Sequence, residues 1–248
     1  MAKAQDASDA DEIQYRQGGH CPICEKDSLF SARHLWFRDH LLCSGCNSIP
    51  RERALAVVLQ RRFPGWRKLD IHESSPSNRG ISPKLRRECP GYVASQYFPG
   101  EPFGIAVRGA RNENLEYQTF ADGSFDLVVT LDVMEHVNDP ERVFQEVART
   151  LKPSGEYIFV VPTYKGKIKS ERRALYKPDG TIDHFAEPEY HGNPVNDAGS
   201  LVTFHYGYDL VEKIRAWSCM DVEVIRFHDH YHGIIGDFTE VYVASKRA

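Results

Sequence analysis

The chain has 248 residues, enough to bury one α/β core and carry a small appended module, but not two full domains. Its 31 Lys and Arg against 35 Asp and Glu give a formal charge of -4, which excludes attachment to nucleic acid or an anionic membrane by bulk charge. The longest purely aliphatic run, Ala54 to Leu59, is far below the roughly 20 residues that span a bilayer, so a cytoplasmic protein without membrane contact is expected.

Residues 1–18 are polar and acidic, with no cationic stretch leading into an apolar one, and read as a disordered leader. Next come Cys21-Pro22-Ile23-Cys24 and Cys43-Ser44-Gly45-Cys46, two C-x2-C pairs separated by the 18 residues Glu25 to Leu42. Two thiolates from one tight turn occupy one edge of a tetrahedron and the second pair the other, which is the spacing of a structural zinc site. The expected ligands are therefore Cys21, Cys24, Cys43 and Cys46 in a module over 19–50. Zn2+ there replaces a core that some 30 residues cannot build, and four protein ligands leave it no open position. Cys89 and Cys219 stand alone and read as small buried side chains.

From 51 to 248 the pattern is that of a single larger domain. A helix begins after Ser48, with Pro50 in its first turn and Leu55, Val58, Leu59 and Phe63 at helical spacing, and Pro64-Gly65 ends it. A strand over Lys68 to His72, a Ser/Pro/Asn/Gly loop from Glu73 to Gly80 and a helix from Ser82 to Glu88 make half of a βαβ unit. Further strands read at Tyr92 to Ser95, Phe125 to Leu131 and Tyr157 to Val161, with a helix opened by Asp139-Pro140 before the last of them. This alternation implies a doubly wound, mostly parallel sheet with a ligand crevice at the carboxyl ends of its strands. The alternation then stops over 163–207, a stretch rich in Gly, Pro, Tyr and His that is too long for an ordinary connection and is expected to form a lid. A helix near Tyr208 to Trp217 and strands at Val222 to Phe227 and Thr239 to Ser245 close the chain, the last two joined by a turn carrying His228, His230 and His232.

Three groups of residues between Phe120 and Val161 occur in consecutive order: Phe120-Ala121-Asp122-Gly123-Ser124-Phe125-Asp126-Leu127-Val128, then Asp132-Val133-Met134-Glu135-His136-Val137 with Asp139-Pro140, then Leu151-Lys152-Pro153-Ser154-Gly155. Together they resemble the Rossmann-like S-adenosylmethionine-dependent methyltransferases of the small-molecule type, and the stretch Tyr190 to Asp209 looks like a bacterial branch whose members also bear the front cysteine pairs. The resemblance implies a seven-stranded, doubly wound sheet and S-adenosylmethionine as cofactor. It implies that the loop after the first strand wraps the methionine part, at the positions of Asp70, His72, Glu73, Ser74 and Ser75. Glycines usual in that loop are missing here until Gly80, so the hydroxyls of Ser74 and Ser75 would take the place of close backbone contact. Gln96 or Glu101 stands in for the acidic residue that grips the ribose, Asn114 and Leu115 meet the adenine, and Asp132 meets the cofactor's ammonium.

Methyl transfer from a sulfonium is an in-line displacement of an already activated group, so the protein supplies alignment and excludes water, adding a base only for a protonated acceptor. His136, His184, His191 and His205 are the candidates, with His191 and Asp132 the expected catalytic pair. Lid and acidity point to a small-molecule or glycan acceptor. A second reading takes RNA as acceptor, on the strength of six basic residues against the single Glu52 between Arg51 and Lys68. A third, motivated by the missing glycines, is a methyltransferase fold that binds without catalysing.

Overall fold

A computed structural model of the chain describes residues 12–193 and 198–247. The front module is an antiparallel sheet of β1 (Tyr15–Cys21), β2 (Lys26–Ala32) and β3 (Leu42–Cys43), with one helical turn at Phe37–His40. Tyr15 to Gly18, expected in the leader, are strand residues paired with β2 from Tyr15↔Ala32 onward. Residues 1–11 of that leader lie outside the described residues.

Helix α1 (Pro50–Arg62) starts with Pro50, whose absent N–H costs nothing there, and with the Glu52 carboxylate accepting from the Ile49 amide. Every residue from Pro50 to Leu59 is buried. A helix buried on all sides must lie between two layers. Here Phe30 and Leu41 of the front module and Ile158 and Val243 of the main sheet share one core with Leu55 and Val58 of the helix.

The main sheet contains β4 (Ile71–Ser74), β5 (Tyr92–Gln96), β6 (Ala106–Val107), β7 (Ala110–Asn112), β8 (Phe125–Leu131), β9 (Leu151–Val160), β10 (Asp221–Ile225) and β11 (Val241–Ser245). Their order is β10-β11-β9-β8-β4-β5-β7-β6. β4, β5, β7, β8 and β9 run parallel, while β6, β10 and β11 join antiparallel. The eighth strand beyond the expected seven is β6, a two-residue edge strand folded back on β7. Helices α2 (Ile81–Glu88), α3 (Pro140–Thr150) and α4 (Leu210–Ser218) complete the layers. Alternation along β9 sends Ile158 and Val160 into the core beneath α1, and Tyr157 and Phe159 into the opposite core with Val143, Phe144 and Ile214, which is why β8 and β9 read as continuous apolar runs.

β4 is displaced from its expected position: it covers Ile71–Ser74 instead of Lys68 to His72. Its polar residues are buried because they satisfy one another. His72 Nε2 lies 2.8 Å from Ser95 Oγ, and Glu73 accepts from Ser82 Oγ and Tyr92 OH, both at 2.6 Å.

The described residues of the 163–207 insertion fold into short two-stranded ribbons, Glu171–Arg172 with Phe204–His205, Ala174–Tyr176 with Ile182–His184, and Tyr190–His191 with Ser200–Leu201. It is fastened to the turn after β8. Thr203 Oγ1 donates at 3.0 Å to the Glu135 carbonyl, and Tyr206 OH donates at 2.9 Å to that of Met134. The loop between β10 and β11 docks on the front module, where Gly233, at φ +64, lies flat on the Phe30 ring and a Cβ would come within 2.6 Å of it. Its histidines are engaged locally, His232 Nδ1 with Asp229 at 2.6 Å and His230 Nδ1 with Tyr15 OH at 3.1 Å.

Candidate functional site

The first strand of the parallel sheet, β4, is flanked by β5 on one side and β8 on the other, so the strand order reverses there and a crevice opens at their carboxyl ends. A cleft of about 90 Å³ occupies that place, with Ser75 and Glu73 on one wall and Leu131 and Asp132 on the other. Ser75 and Asp132, the residues just past the two strand tips, both adopt left-handed backbone, φ +56 and +53. Such conformations in non-glycine residues are held by their surroundings and gather at functional sites. Asp132 is held by charge: its Oδ1 accepts from Arg38 Nη2 at 2.6 Å and its Oδ2 is paired with Arg51 Nε. Arg51 also reaches Asp39 at 2.7 Å and the Arg38 carbonyl at 2.8 Å. Thus Arg38 and Asp39 of the front module hold Asp132 and Arg51, which line the crevice. On the other side Arg79 pairs with Glu52 at 3.0 Å, an approach that Gly80 allows, since a Cβ there would lie 2.5 Å from the Glu52 carboxyl.

The expected cofactor residues divide. Glu73, Ser75 and Asp132 line the cleft, and Ser74 is buried at the end of β4. Asp70 does not belong there. With β4 starting at Ile71, Asp70 precedes the amino end of the strand, at the edge opposite the crevice, and binds Lys152 at 2.6 Å. His72 is likewise misplaced, because strand alternation turns it into the core against Phe120 and Phe125. Burial, with Arg111 next, pushes its imidazole down to about 3. Gln96 ends β5 next to an exposed ledge of Tyr97 and Phe103, while Glu101 is exposed. Asn114 accepts from the Glu116 amide at 2.9 Å and closes a turn, and Leu115 packs in the core beside Phe125 and Val128.

Beyond Asp132 the turn Met134–His136 meets the insertion. His191 is brought to His136, their rings perpendicular and 5.0 Å apart, with the Glu135 carboxylate beside both. Burial pushes Glu135 up to about 8, with Asp132 adding to it and Arg38 and Arg51 opposing, and burial pushes His136 down to about 4. His191 Nε2 lies 3.2 Å from Glu189, which reaches His205 at 2.8 Å, and Tyr164 OH lies 3.1 Å from the same His205 nitrogen. His184 is exposed on its ribbon, apart from this group. Glu135 and Glu189 were not among the expected site residues. The Glu135-His136 dipeptide was the only signal, and a glutamate in a turn reads as surface.

In the front module the four cysteines are free thiols gathered in one cluster, with Cys21 Sγ 3.7 Å from Cys46 Sγ and Cys24 Sγ 3.9 Å from Cys43 Sγ. Sulfurs bound at about 2.3 Å to one tetrahedral ion stand about 3.8 Å apart, so the set fits zinc without rearrangement. The Gly45 amide donates to Cys43 Sγ at 3.4 Å, and a Cβ at Gly45 would lie 3.1 Å from Cys24 Sγ. Cys89 is buried as expected, its thiol 3.2 Å from the Leu69 carbonyl, whereas Cys219 is exposed because it forms the left-handed cap of α4.

The basic run does not present a basic surface. Arg51 and Arg53 are buried, and of the four exposed cations Arg62 pairs with Glu156 and Glu223 and Arg67 lies over Trp66 and pairs with Glu88, beside Arg61 and Lys68.

Residues 92–159, from β5 through β9, match the methyltransferase domain family. The chain is 35% identical over 101 residues to a ubiquinone biosynthesis O-methyltransferase of Colwellia psychrerythraea (strain 34H / ATCC BAA-681), covering 34% of this chain and 39% of that protein. It is 28% identical over 116 residues to an uncharacterized methyltransferase of Mycobacterium sp. (strain JLS), covering 46% and 44%. The matches thus span about two fifths of the length of these curated relatives. Among solved structures, an S-adenosylmethionine-dependent methyltransferase from Mesorhizobium loti superposes with a TM-score of 0.51 at 15% identity, over 78% of this chain and 98% of that one. The chain thus carries a segment that matches a methyltransferase domain, set in the Rossmann-like fold of the S-adenosylmethionine-dependent methyltransferases.

Proposed function

We propose that the chain transfers a methyl group from S-adenosylmethionine to a small-molecule or glycan acceptor, at a hydroxyl or amine. The observation that carries this reading is the cleft at the switch point, where two left-handed strand tips face each other amid side chains of both signs. That donor set fits the zwitterionic end of the cofactor. The Asp132 carboxylate has lone pairs beyond those taken by Arg38 and Arg51 and accepts an ammonium, while Arg51 and Arg79 offer guanidinium donors to a carboxylate. A volume of about 90 Å³ holds only that end, below the roughly 300 Å³ at which whole-ligand pockets begin, so the nucleoside lies outside it along the ends of β5 and β7 by Gln96 and Asn114. When bound, the cofactor supplies an activated methyl group. The protein's part is to orient: Asp132 and Arg51 fix one end of the donor, and the insertion carries His191 to the acceptor side and keeps water out. Asp132, tied to two guanidinium groups, serves as a positioning carboxylate and not as a base.

A small acceptor is favoured by relatives named for ubiquinone biosynthesis and for glycine, sarcosine and dimethylglycine, and by the internal use of the basic run. We also infer structural Zn2+ at Cys21, Cys24, Cys43 and Cys46, closed to substrate by its four ligands. The narrowness of the cleft favours a second reading, a methyltransferase fold that binds without catalysing. Calorimetry and thermal unfolding with S-adenosylhomocysteine separate the two: heat and a raised Tm support the enzyme, and neither at millimolar ligand replaces it by the second reading.

A further inference from the structure

We propose that Glu135, His136 and His191 form a second metal site, open to an exogenous ligand, that takes a divalent first-row transition cation. Glu135 is 2% exposed, and neither of its carboxylate oxygens has a hydrogen-bond partner. A buried, unpartnered carboxylate is costly unless something not yet in place satisfies it. The imidazole nitrogens facing its Oε1 are the Nδ1 of His191 at 3.8 Å and the Nε2 of His136 at 4.0 Å, too far for hydrogen bonds. Ligands bonded at about 2.1 Å to one ion stand about 3.0 to 3.4 Å apart, so shifts of about half an ångström bring each histidine nitrogen to bonded spacing from Glu135, and the three ligand atoms already lie within 4.8 Å of one another.

The two rings are already oriented for this. His136 Nδ1 lies 2.9 Å from the Leu201 carbonyl, which requires the proton on Nδ1 and leaves the Nε2 lone pair facing Glu135. His191 uses its other nitrogen, Nε2, against Glu189, which is braced in turn by His205, so the free Nδ1 faces Glu135. Histidines that bind metals are held in this way, by an oxygen on the ring nitrogen that does not bind the ion. Two imidazoles and one carboxylate suit zinc, manganese, iron, cobalt or nickel, and three protein ligands leave open positions. The ion does not depend on the methyl-transfer reading. That an open position holds an acceptor oxygen does rest on that reading.

The test uses the full chain with its cysteine cluster first saturated with zinc, titrated with Co2+ by calorimetry and visible absorption. One further ion per chain is expected, without the sulfur-to-metal absorption of a thiolate site. Glu135→Gln and His191→Asn should each abolish it or weaken it at least tenfold, and Glu189→Gln should weaken it by about tenfold. Uptake of no further cobalt by the wild-type chain at millimolar concentration overturns the proposal, as does unchanged uptake in His191→Asn, which lies on a ribbon and decides the matter should Glu135→Gln fail to fold. Cobalt binding together with failure of S-adenosylhomocysteine to bind would end the methyl-transfer reading and leave this site standing.

Discussion

The cysteine cluster and the Glu135 cluster are both small sets of ligand-type side chains, built in opposite ways. Each cysteine pair comes from one tight turn, the four sulfurs already stand at bonded spacing, and all coordination would come from the chain. The Glu135 group joins a turn after β8 to a ribbon of the insertion 55 positions later in the sequence, its atoms stand slightly too far apart, and its carboxylate is bare. A site that holds a module together must be complete in itself; one that handles a ligand is left unfinished. Between the two lies the crevice, whose Asp132 and Arg51 are held by Arg38 and Asp39 of the front module.

The largest effect expected on this contrast comes from Cys43→Ser. It should remove zinc from the protein, withdrawing metal-binding free energy on the order of 10 kcal/mol, and melt the front sheet, which metal analysis and thermal unfolding would show together. Zinc retained in full would break the comparison at its closed end. Next is Asp132→Ala, which strands two guanidinium groups that are only 11% exposed. Stability should fall by about 3 to 5 kcal/mol in urea titrations, and S-adenosylhomocysteine affinity should fall as well. His191→Ala should leave that affinity nearly unchanged, and the reverse ranking would move the cofactor to the wrong side of Asp132.

A smaller effect separates the two faces of β4. Because His72 is held near 3 while an unfolded histidine titrates near 6.5, its neutral burial contributes fully above pH 6.5 and loses about 1.4 kcal/mol per unit as pH falls below that. Glu73, pushed up to about 7 by burial, works in the other direction, contributing at low pH and losing its contribution as pH rises from about 4.5 to 7. In His72→Gln the His72 slope is gone while those of the other buried groups are common to both proteins, so relative to wild type the variant should gain stability steadily from pH 6.5 down to 4.5; parallel curves would contradict the burial of His72. The smallest expected change is Gly233→Ala, which forces a Cβ onto the Phe30 ring and should cost about 1 to 3 kcal/mol in the same assay.

The element order, the crevice and the cysteine cluster were legible because they depend on local spacing and on runs such as Phe125 to Leu131. What was not legible came from distance. Lys68-Leu69-Asp70 resembles a strand start, and the true strand is written in polar letters whose burial depends on Ser95, Tyr92 and Ser82, so Asp70 and His72 were assigned to the crevice and lie elsewhere. Glu135 gave no sign of burial, since the residues that fasten its turn, Leu201 through His136 and Thr203 through the Glu135 carbonyl, follow more than sixty positions later. The partners of the basic run were hidden for the same reason: Glu88, Glu156 and Glu223, which pair with Arg67 and Arg62, lie further along the chain.

Arg53 lies fully buried in α1, and its guanidinium donates to the Ser48 carbonyl, to the Leu41 carbonyl at 3.0 Å and to the Gly233 carbonyl at 2.7 Å. One side chain thereby joins the cysteine module, the helix behind it and a loop some 180 residues downstream. A cut near residue 50 would not release the module intact, because it would keep the Leu41 and Ser48 carbonyls without the guanidinium that donates to both. The two ends of the chain must therefore melt together, and a nascent chain cannot finish its front module until the loop after β10 has been synthesised.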